Sequence, residues 1–225
     1  MFERFELLVE DKIKEIKDKK VLVIGIGGVG SYTVETLIRS GISNITIVDN
    51  DIIDISNLNR QLMTDRNTIG MPKVDVMKKR ILSINDKCIV NAKREFVDSY
   101  NIDSIIDDYD YVVDACDTVS TKIEIIRICN LKNIKLISSM GTGNKQYPSL
   151  LKITDIYKTS YDPLAKVIRS KIKKMGIKKL MVVSSTERPI KKSIKTIPSN
   201  SYVPSVAGIL ITSYIINDIV GDLHV

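Results

Sequence analysis

The stretch Val21-Leu-Val-Ile-Gly25-Ile-Gly27-Gly28-Val-Gly30 decides the fold, because four apolar residues run directly into a glycine-rich turn. Residues 31–40 then have the pattern of a helix. A strand, a glycine turn and a helix N-terminus together form a phosphate site, since free N–H groups and the helix dipole face the anion. A second predicted strand ends at Asp49, nineteen positions after Gly30, where an acid hydrogen-bonds a ribose hydroxyl. The stretch therefore predicts an adenine-nucleotide site.

Apolar runs alternate with helical patterns along most of the chain, which is typical of a largely parallel sheet. Strands are predicted at 21–24, 44–48, 89–94, 111–115, 135–139 and 180–184, and helices at 31–40, 72–84, 118–131 and 163–175. We read the apolar run 203–220 as a buried C-terminal helix rather than a membrane span. The prediction is an α/β, Rossmann-like, doubly wound sheet with flanking helices, forming a single domain over residues 1–225.

Composition narrows the class of protein. The chain has 225 residues, of which 44% are hydrophobic and 27% charged, and this excludes a fibrous or disordered protein. Residues 1–20 are charged and amphipathic, unlike a secretion signal. The three cysteines form no disulfide framework. We therefore expect a cytoplasmic protein that does not bind a membrane.

The loop that follows Asp49 contains two cations, Arg60 and Lys73, thirteen positions apart. An enzyme that binds a triphosphate and releases pyrophosphate needs such cations. The planar Arg guanidinium can donate two parallel hydrogen bonds to phosphate oxygens, and the Lys ammonium supplies a compact positive charge. Two ordinary surface cations are the alternative. Asp114 and Asp117 follow another predicted strand, where a carboxylate can hold the Mg²⁺ that accompanies ATP. A cap for the next helix is the alternative for Asp117.

Five motifs occur in a characteristic order: the glycine stretch 25–30, Asp49-Asn-Asp51, Asn57-Leu-Asn-Arg60-Gln61, Gly70-Met-Pro-Lys73 and Asp114-Ala-Cys-Asp117. In this order they resemble the ubiquitin-activating-enzyme-like, ThiF-type adenylyltransferases. Within that superfamily the chain most resembles the tRNA threonylcarbamoyladenosine dehydratase branch. The closer similarity depends on residues 2–8, 184–189 and 201–208.

The resemblance implies which residues form the site. It implies an ATP-binding set of Gly25, Gly27, Gly28, Gly30, Asp49, Asp51, Asn57, Arg60, Gln61, Lys73, Asp117 and Thr118. Arg60, Lys73 and Asp117 would be catalytic, with Mg²⁺ on Asp117, whereas Asp114 would cap or orient its loop. Arg4 matches a position that reaches the partner's nucleotide site, so a homodimer is implied. The resemblance leaves open a sulfur-transfer accessory protein and a monovalent cation near the C-terminal helix.

The implied activity is ATP-dependent adenylation of the threonine carboxylate of threonylcarbamoyladenosine in tRNA, followed by cyclisation. Adenylation of the C-terminal glycine of a ubiquitin-like or sulfur-carrier protein is the alternative, although the chain has no C-x-x-C pair for the zinc of such relatives. A NAD-dependent oxidoreductase would leave Arg60 and Lys73 unexplained. A non-catalytic nucleotide-binding scaffold is the last alternative.

Basic residues are concentrated in the C-terminal third, about 150–225. Seven lie between Lys166 and Lys179, and Arg188, Lys191, Lys192 and Lys195 follow. A solvated helix face is one interpretation and a polyanion partner the other, and a tRNA substrate would explain both clusters. The polar stretch 187–202 is predicted to be disordered or to become ordered around substrate.

Histidine and cysteine chemistry is not expected in the reaction. The single histidine, His224, lies next to the C-terminus, and we interpret Cys116 as a small core residue rather than a nucleophile. Gly141-Thr-Gly143 follows a predicted strand and forms either a second backbone anion nest or a plain turn. An intramolecular closure needs no enzyme nucleophile once the carboxylate is activated.

Overall fold

A seven-stranded sheet forms the centre of the molecule, described by a computed structural model for residues 1–188 and 197–221. Its strands are β1 (Lys20–Ile24), β2 (Asn44–Val48), β3 (Ile89–Lys93), β4 (Tyr111–Asp114), β5 (Lys135–Ser139), β6 (Leu151–Asp155) and β7 (Met181–Ser185). The order across the sheet is β3-β2-β1-β4-β5-β7-β6. All neighbours are parallel except β6, which runs antiparallel to β7. The predicted Rossmann-like sheet is confirmed.

Helices cover both faces of this sheet. They are α1 (Glu3–Val9), α2 (Ile13–Asp18), α3 (Gly30–Arg39), α4 (Lys73–Ile84), α5 (Ile102–Ile105), α6 (Val119–Lys132), α7 (Pro163–Lys174) and α8 (Tyr202–Val220). Side chains of a strand alternate between faces, so Val21 and Val23 of β1 pack in one core with α3, α4 and α8. Leu22 and Ile24 pack in a second core with α5 and α6. Burial on both faces explains why β1 reads as an unbroken apolar run.

The C-terminal helix α8 is a core helix, as predicted. By length and composition it could cross a membrane, but half of that apolar window is buried inside the protein. It lies against α3 so closely that a Cβ at Gly208 would be 2.5 Å from the Val29 carbonyl oxygen. Thr33 Oγ1 of α3 donates a hydrogen bond to the Gly208 carbonyl at 3.3 Å.

Several features differ from the sequence-based expectation, among them the short helix α5, which was not predicted. Strand β6 is a half-exposed edge strand and was not predicted, because its alternation of apolar and polar residues, Leu-Lys-Ile-Thr, lasts only four positions. The segment 1–20 folds into α1 and α2, whose apolar residues pack on the first core. Pro72 precedes α4 as its N-cap with extended backbone, not within the first turn. Pro189, Lys191, Lys192, Lys195 and His224 lie outside the described residues.

The sheet topology determines where a ligand can bind. The chain leaves β1 through α3, which packs in the first core, and leaves β4 through α6, which packs in the second. Neighbouring parallel strands whose connections leave towards opposite faces create a crevice at their carboxyl ends. The glycine turn after β1 and the Asp114–Asp117 segment after β4 meet at that crevice.

Candidate active site

The glycine turn is built by close backbone approach. Gly25 has φ +92°, and a Cβ there would be 2.7 Å from the Ala115 carbonyl oxygen. A Cβ at Gly30 would be only 1.8 Å from the Gly25 carbonyl oxygen. Side chains at these two positions are therefore excluded. The turn stays tight and leads directly into the N-terminus of α3, which is the geometry of an anion site.

Asp49, at the end of β2, is tied to this turn. Its Oδ2 accepts the Ile26 N–H at 2.6 Å and its Oδ1 accepts the Asp51 N–H at 2.9 Å. Burial raises the pKa of the Asp49 carboxyl above its ordinary value, while the nearby Lys73 charge acts in the opposite direction. A carboxylate has about four lone-pair directions, so Asp49 can still accept a hydroxyl donor from a ligand.

Lys73 is a buried cation, contrary to the surface-cation alternative. Its side chain is 7% exposed, and its Nζ lies 2.6 Å from Asp51 Oδ2, whose side chain is 58% exposed. The backbone joins the same two residues, because the Lys73 N–H donates to the Asp51 carbonyl at 3.1 Å. Burying an ammonium is costly without a partner, so the partly solvated Asp51 is what holds Lys73 at this edge.

Arg60 lies over the glycine turn. A Cβ at Gly28 would be 3.3 Å from Arg60 Cγ and 3.2 Å from Pro204 Cβ. Arg60 Nη1 donates to the Ser56 carbonyl and to Asn59 Oδ1, both at 2.9 Å. Its Nε and Nη2 make no hydrogen bond within residues 1–188 and 197–221. The guanidinium is therefore held by one nitrogen while two others can bind an anion.

Asn57 and Gln61 lie in the same loop. The side-chain oxygen Oδ1 of Asn57 accepts the Asp54 N–H at 3.1 Å, so this side chain holds the turn together. Gln61 is 5% exposed, and its Oε1 has no hydrogen-bond partner among the described residues. Its amide faces Gly27, where a Cβ would be 3.9 Å from Gln61 Nε2.

The carboxyl end of β4 contains a buried ion pair that sequence reasoning missed. Lys122 and Asp114 are both fully buried, with Nζ 3.0 Å from Asp114 Oδ2. Ser138 Oγ donates to the same carboxylate at 2.5 Å, and Lys122 Nζ also donates to the Ser139 carbonyl at 2.8 Å. Asp114 accepts the Cys116 N–H at 3.3 Å, so it orients the loop, as predicted. The only sequence signal for a buried Lys122 was its position on the apolar face of α6, three, four and seven residues before Ile125, Ile126 and Cys129.

Asp117 and Thr118 lie beyond this pair at the same edge. Asp117 is exposed, and its one hydrogen bond among the described residues comes from Thr118 Oγ1 at 3.4 Å. Asp117 makes no side-chain cap for α6, contrary to the capping alternative. Burial raises the pKa of the Cys116 thiol well above its ordinary value, and the Asp114 charge adds to this. A thiol held protonated is a poor nucleophile, in agreement with the core interpretation of Cys116.

Two further candidates lie apart from this cluster. The Gly141 N–H donates to Asp162 Oδ2 at 3.1 Å, which favours a structural turn over an anion nest. Arg4 is exposed on α1. No hydrogen bond or ion pair of the described residues joins Arg4 to the other candidate residues.

The sheet edge thus carries the glycine turn, Asp49 as a hydroxyl acceptor, the cations Arg60 and Lys73, and the exposed carboxylate of Asp117. The model of the ThiF family matches residues 3–217. A tRNA threonylcarbamoyladenosine dehydratase of Bacillus subtilis is 41% identical, with 100% of this chain and 96% of that protein aligned. The Escherichia coli protein of the same name is 38% identical over 73% of this chain and 62% of its own length.

The fold comparison agrees with the sequence comparison. The crystal structure of the E. coli tRNA N6-threonylcarbamoyladenosine dehydratase in complex with AMP superposes with a TM-score of 0.92 and 32% identity. The superposition covers 97% of this chain and 93% of the other. A structure of the same E. coli protein in complex with ATP superposes equally well, with a TM-score of 0.92. The chain therefore belongs to the ThiF family.

Proposed function

We propose that the chain is an ATP-dependent dehydratase that adenylates the threonine carboxylate of threonylcarbamoyladenosine in tRNA and closes it into a ring. The observation that carries this proposal is the joint placement of Asp49, Arg60 and Lys73 around the glycine turn. The B. subtilis relative, aligned over the whole chain, supports this choice of substrate. A cytoplasmic tRNA-modifying enzyme is the role that fits these observations.

The nucleotide would be held by residues from three loops. The turn of Gly25, Gly27, Gly28 and Gly30 would face the phosphates with backbone N–H groups, and Asp49 would accept a ribose hydroxyl. Arg60 and Lys73 would face the triphosphate. Asp51 and Asn57 would support them, because Asp51 pairs with Lys73 and Asn57 holds the loop before Arg60. Gln61 and Thr118 would contribute the remaining polar contacts.

Asp117 fits a magnesium ion. Mg²⁺ in such sites is bound by one or two carboxylates together with substrate phosphates and water. The described residues contain no cluster of three His, Cys, Asp or Glu side chains that could form a protein-only metal site. Asp117 offers an exposed carboxylate with one weak hydrogen bond, and the nucleotide would supply the other oxygens. The ion would neutralise phosphate charge.

The reaction follows from this placement of charge. A carboxylate oxygen of the threonine attacks the α-phosphorus, the bond to the β-phosphate oxygen breaks, and pyrophosphate leaves. Arg60 and Lys73 stabilise the developing negative charge. A nucleophilic atom of the carbamoyl group then forms a bond to the activated carbonyl carbon, AMP leaves with the carboxylate oxygen, and an N–H proton of the carbamoyl group is released to solvent. The tRNA thereby loses the elements of one water, and intramolecular closure is favoured because both groups are already held together.

Arg4 would act in a homodimer. It is exposed at the start of α1, whose Phe2 and Phe5 neighbours pack on the first core. The exposed Arg4 guanidinium forms no ion pair or hydrogen bond with a described residue, which leaves it available to a partner subunit. We assign Arg4 to the triphosphate of the partner's site.

Mass spectrometry of digested tRNA tests the function. Incubation with ATP, Mg²⁺ and tRNA that carries threonylcarbamoyladenosine should remove one water from the modified nucleoside. Heavy oxygen placed in the threonine carboxylate should appear in AMP. AMP release that depends on a sulfur-carrier protein and ignores tRNA would instead establish the alternative substrate.

Variants test the phosphate assignment. Arg60→Ala and Lys73→Met should each lower turnover at least about tenfold, because each removes charge stabilisation of the transition state. Arg66→Ala, at an exposed position of the same loop, is the matched control and should retain wild-type turnover. Circular dichroism establishes that each variant is folded. Wild-type rates in the Arg60 and Lys73 variants would refute the assignment.

A further inference from the structure

The positive charge of the chain is concentrated on and just after α7. Residues 163–179 contain seven Lys and Arg residues and no Asp or Glu, and the formal net charge of the whole chain is also +7. Positive and negative charges are therefore equal in number over the rest of the chain. Because one short segment carries the whole excess, its field is not diluted by neighbouring acids within the segment.

Several surface cations in other parts of the chain form ion pairs, although others, such as Lys78 and Lys79, form none with a described residue. Lys12 pairs with Glu15, Lys17 with Glu6, Lys20 with Asp108, and Arg127 with Glu124. Lysines 166, 171, 173, 174, 178 and 179 are exposed, and none forms an ion pair with a described residue. Arg169 is the exception, because its Nη1 donates to the Ile156 and Thr159 carbonyls and to Thr159 Oγ1. The exposed cations of α7 therefore face solvent with no ion-pair partner among residues 1–188 and 197–221.

The position of α7 relates this charge to the active site. Its N-cap Asp162 accepts the Gly141 N–H after β5 at 3.1 Å and the Ser184 hydroxyl of β7 at 3.3 Å. The helix thus begins at the carboxyl edge of the sheet, about 10 Å from the nucleotide crevice, given a strand spacing of about 5 Å. Its 12 residues then run about 18 Å towards the opposite edge. Ala165, Ile168 and Ile172 face the core, so the lysines occupy the outer side.

A stacking surface lies at the end of α7 nearest the crevice. Tyr161 is 51% exposed and has φ +58°, an unusual conformation for a bulky residue. The Arg188 guanidinium lies 4.8 Å from the centre of its ring. Aromatic rings and guanidinium planes are the groups on which the unstacked bases of RNA loops stack.

We propose that the α7 face, comprising Tyr161, Arg188 and lysines 166, 171, 173, 174, 178 and 179, binds the RNA backbone beside the modified nucleoside. This inference rests on the proposed function. Tyr161 and Arg188 contact bases of the single-stranded loop, while the lysines follow the phosphates of the adjoining stem along the helix. The lysine contacts are to phosphates, so they contribute affinity and orientation but little sequence preference. ATP binds elsewhere and does not use this face.

A charge-matched pair of variants tests this face. The variant Lys171→Gln/Lys173→Gln/Lys174→Gln removes three cations that form no ion pair with a described residue. The control variant Lys12→Gln/Lys17→Gln/Lys20→Gln removes three paired cations and changes the net charge by the same amount. The α7 variant should bind tRNA at least about tenfold more weakly near physiological salt. Its slope of log affinity against log salt should be lower by about 2 to 3, since each phosphate contact contributes about 0.7 to 0.9. The control variant should resemble wild type.

Kinetics separates this inference from the function itself. The α7 variant should show a raised KM for tRNA, with kcat at saturating tRNA and ATP affinity unchanged. An active wild-type enzyme whose α7 variant keeps the KM and salt slope would overturn the inference and leave the function intact. Equal weakening in both variants would also overturn it, because net charge alone would then account for binding. A wild-type protein that removes no water from tRNA would refute the proposed function instead.

Discussion

Replacing Lys122 by methionine tests the buried ion pair beneath the active site. Lys122 and Asp114 are both 0% exposed, and the lysine also donates to the Ser139 carbonyl at 2.8 Å. Methionine keeps most of the aliphatic stem but removes the charge. Asp114 would then remain buried with only the Ser138 hydroxyl, the Cys116 N–H and the Cys116 thiol as donors.

The cost of this change is large because the carboxylate is fully buried. Removing one partner of a buried pair typically costs about 3 to 5 kcal/mol, from a total domain stability of about 5 to 15 kcal/mol. The urea midpoint should therefore fall by about 1 to 2 M. Arg127→Met on the same helix is the matched control. Arg127 pairs with Glu124 at 2.8 Å on the surface, so its loss should cost at most about 1 kcal/mol.

A double-mutant cycle measured by urea unfolding completes the test. Asp114→Asn also leaves an unpaired group, namely the Lys122 ammonium, whereas the double variant leaves neither charge. The double variant should be more stable than the sum of the two single losses predicts, by at least about 1.5 kcal/mol. Additive losses, or a Lys122→Met variant within about 1 kcal/mol of wild type, would refute the reasoning.

Two further predictions concern titrating groups. Burial raises the pKa of the Cys116 thiol, so peptide-resolved alkylation at pH 8 should be at least about tenfold slower in the folded protein than in urea, and Cys116→Ser should keep its activity. Rapid alkylation of the native thiol would contradict this. Burial alone would raise the pKa of Glu35, but hydrogen bonds from Arg80 and Arg39 outweigh it and hold the pKa below the ordinary 4.5. A lowered folded-state pKa stabilises the protein above pH 4.5, and this contribution disappears as the pH falls through the folded-state pKa. Urea unfolding between about pH 3 and 6 should therefore show a steeper acid loss for wild type than for Glu35→Gln.

Most of the fold could be predicted from sequence because its signals are local. The order of strands and helices follows from hydrophobic periodicity, and six of the seven observed strands were predicted to within a residue or so. Strand β6 was missed because an edge strand needs only one partner and can be half polar. Its identity as a strand depends on pairing with β7, which lies 26 residues or more further along the chain.

Part of the candidate site could likewise be predicted from the sequence, and part could not. Gly25, Gly30 and Asp49 belong to one strand–helix–strand unit, so their spacing in the sequence already determined that they would meet at one crevice. The sequence identified Arg60 and Lys73 as phosphate-binding candidates, but it did not show how their environments differ. Only the structure shows that Lys73 is buried against Asp51, whereas Arg60 lies over Gly28 and its Nε and Nη2 form no hydrogen bond with a described residue.

The sequence by itself therefore determined the sheet, the glycine turn and the identity of the polar residues around it, because neighbouring residues encode these features. Only the tertiary structure decided the pairing of Lys122 with Asp114, the burial of Lys73 and the absence of ion pairs between the α7 lysines and the described residues. The physical reason is that the free energy of a charge depends on its solvent exposure and on the partners around it. Those partners come from strands and loops that are distant in sequence and adjacent only after folding.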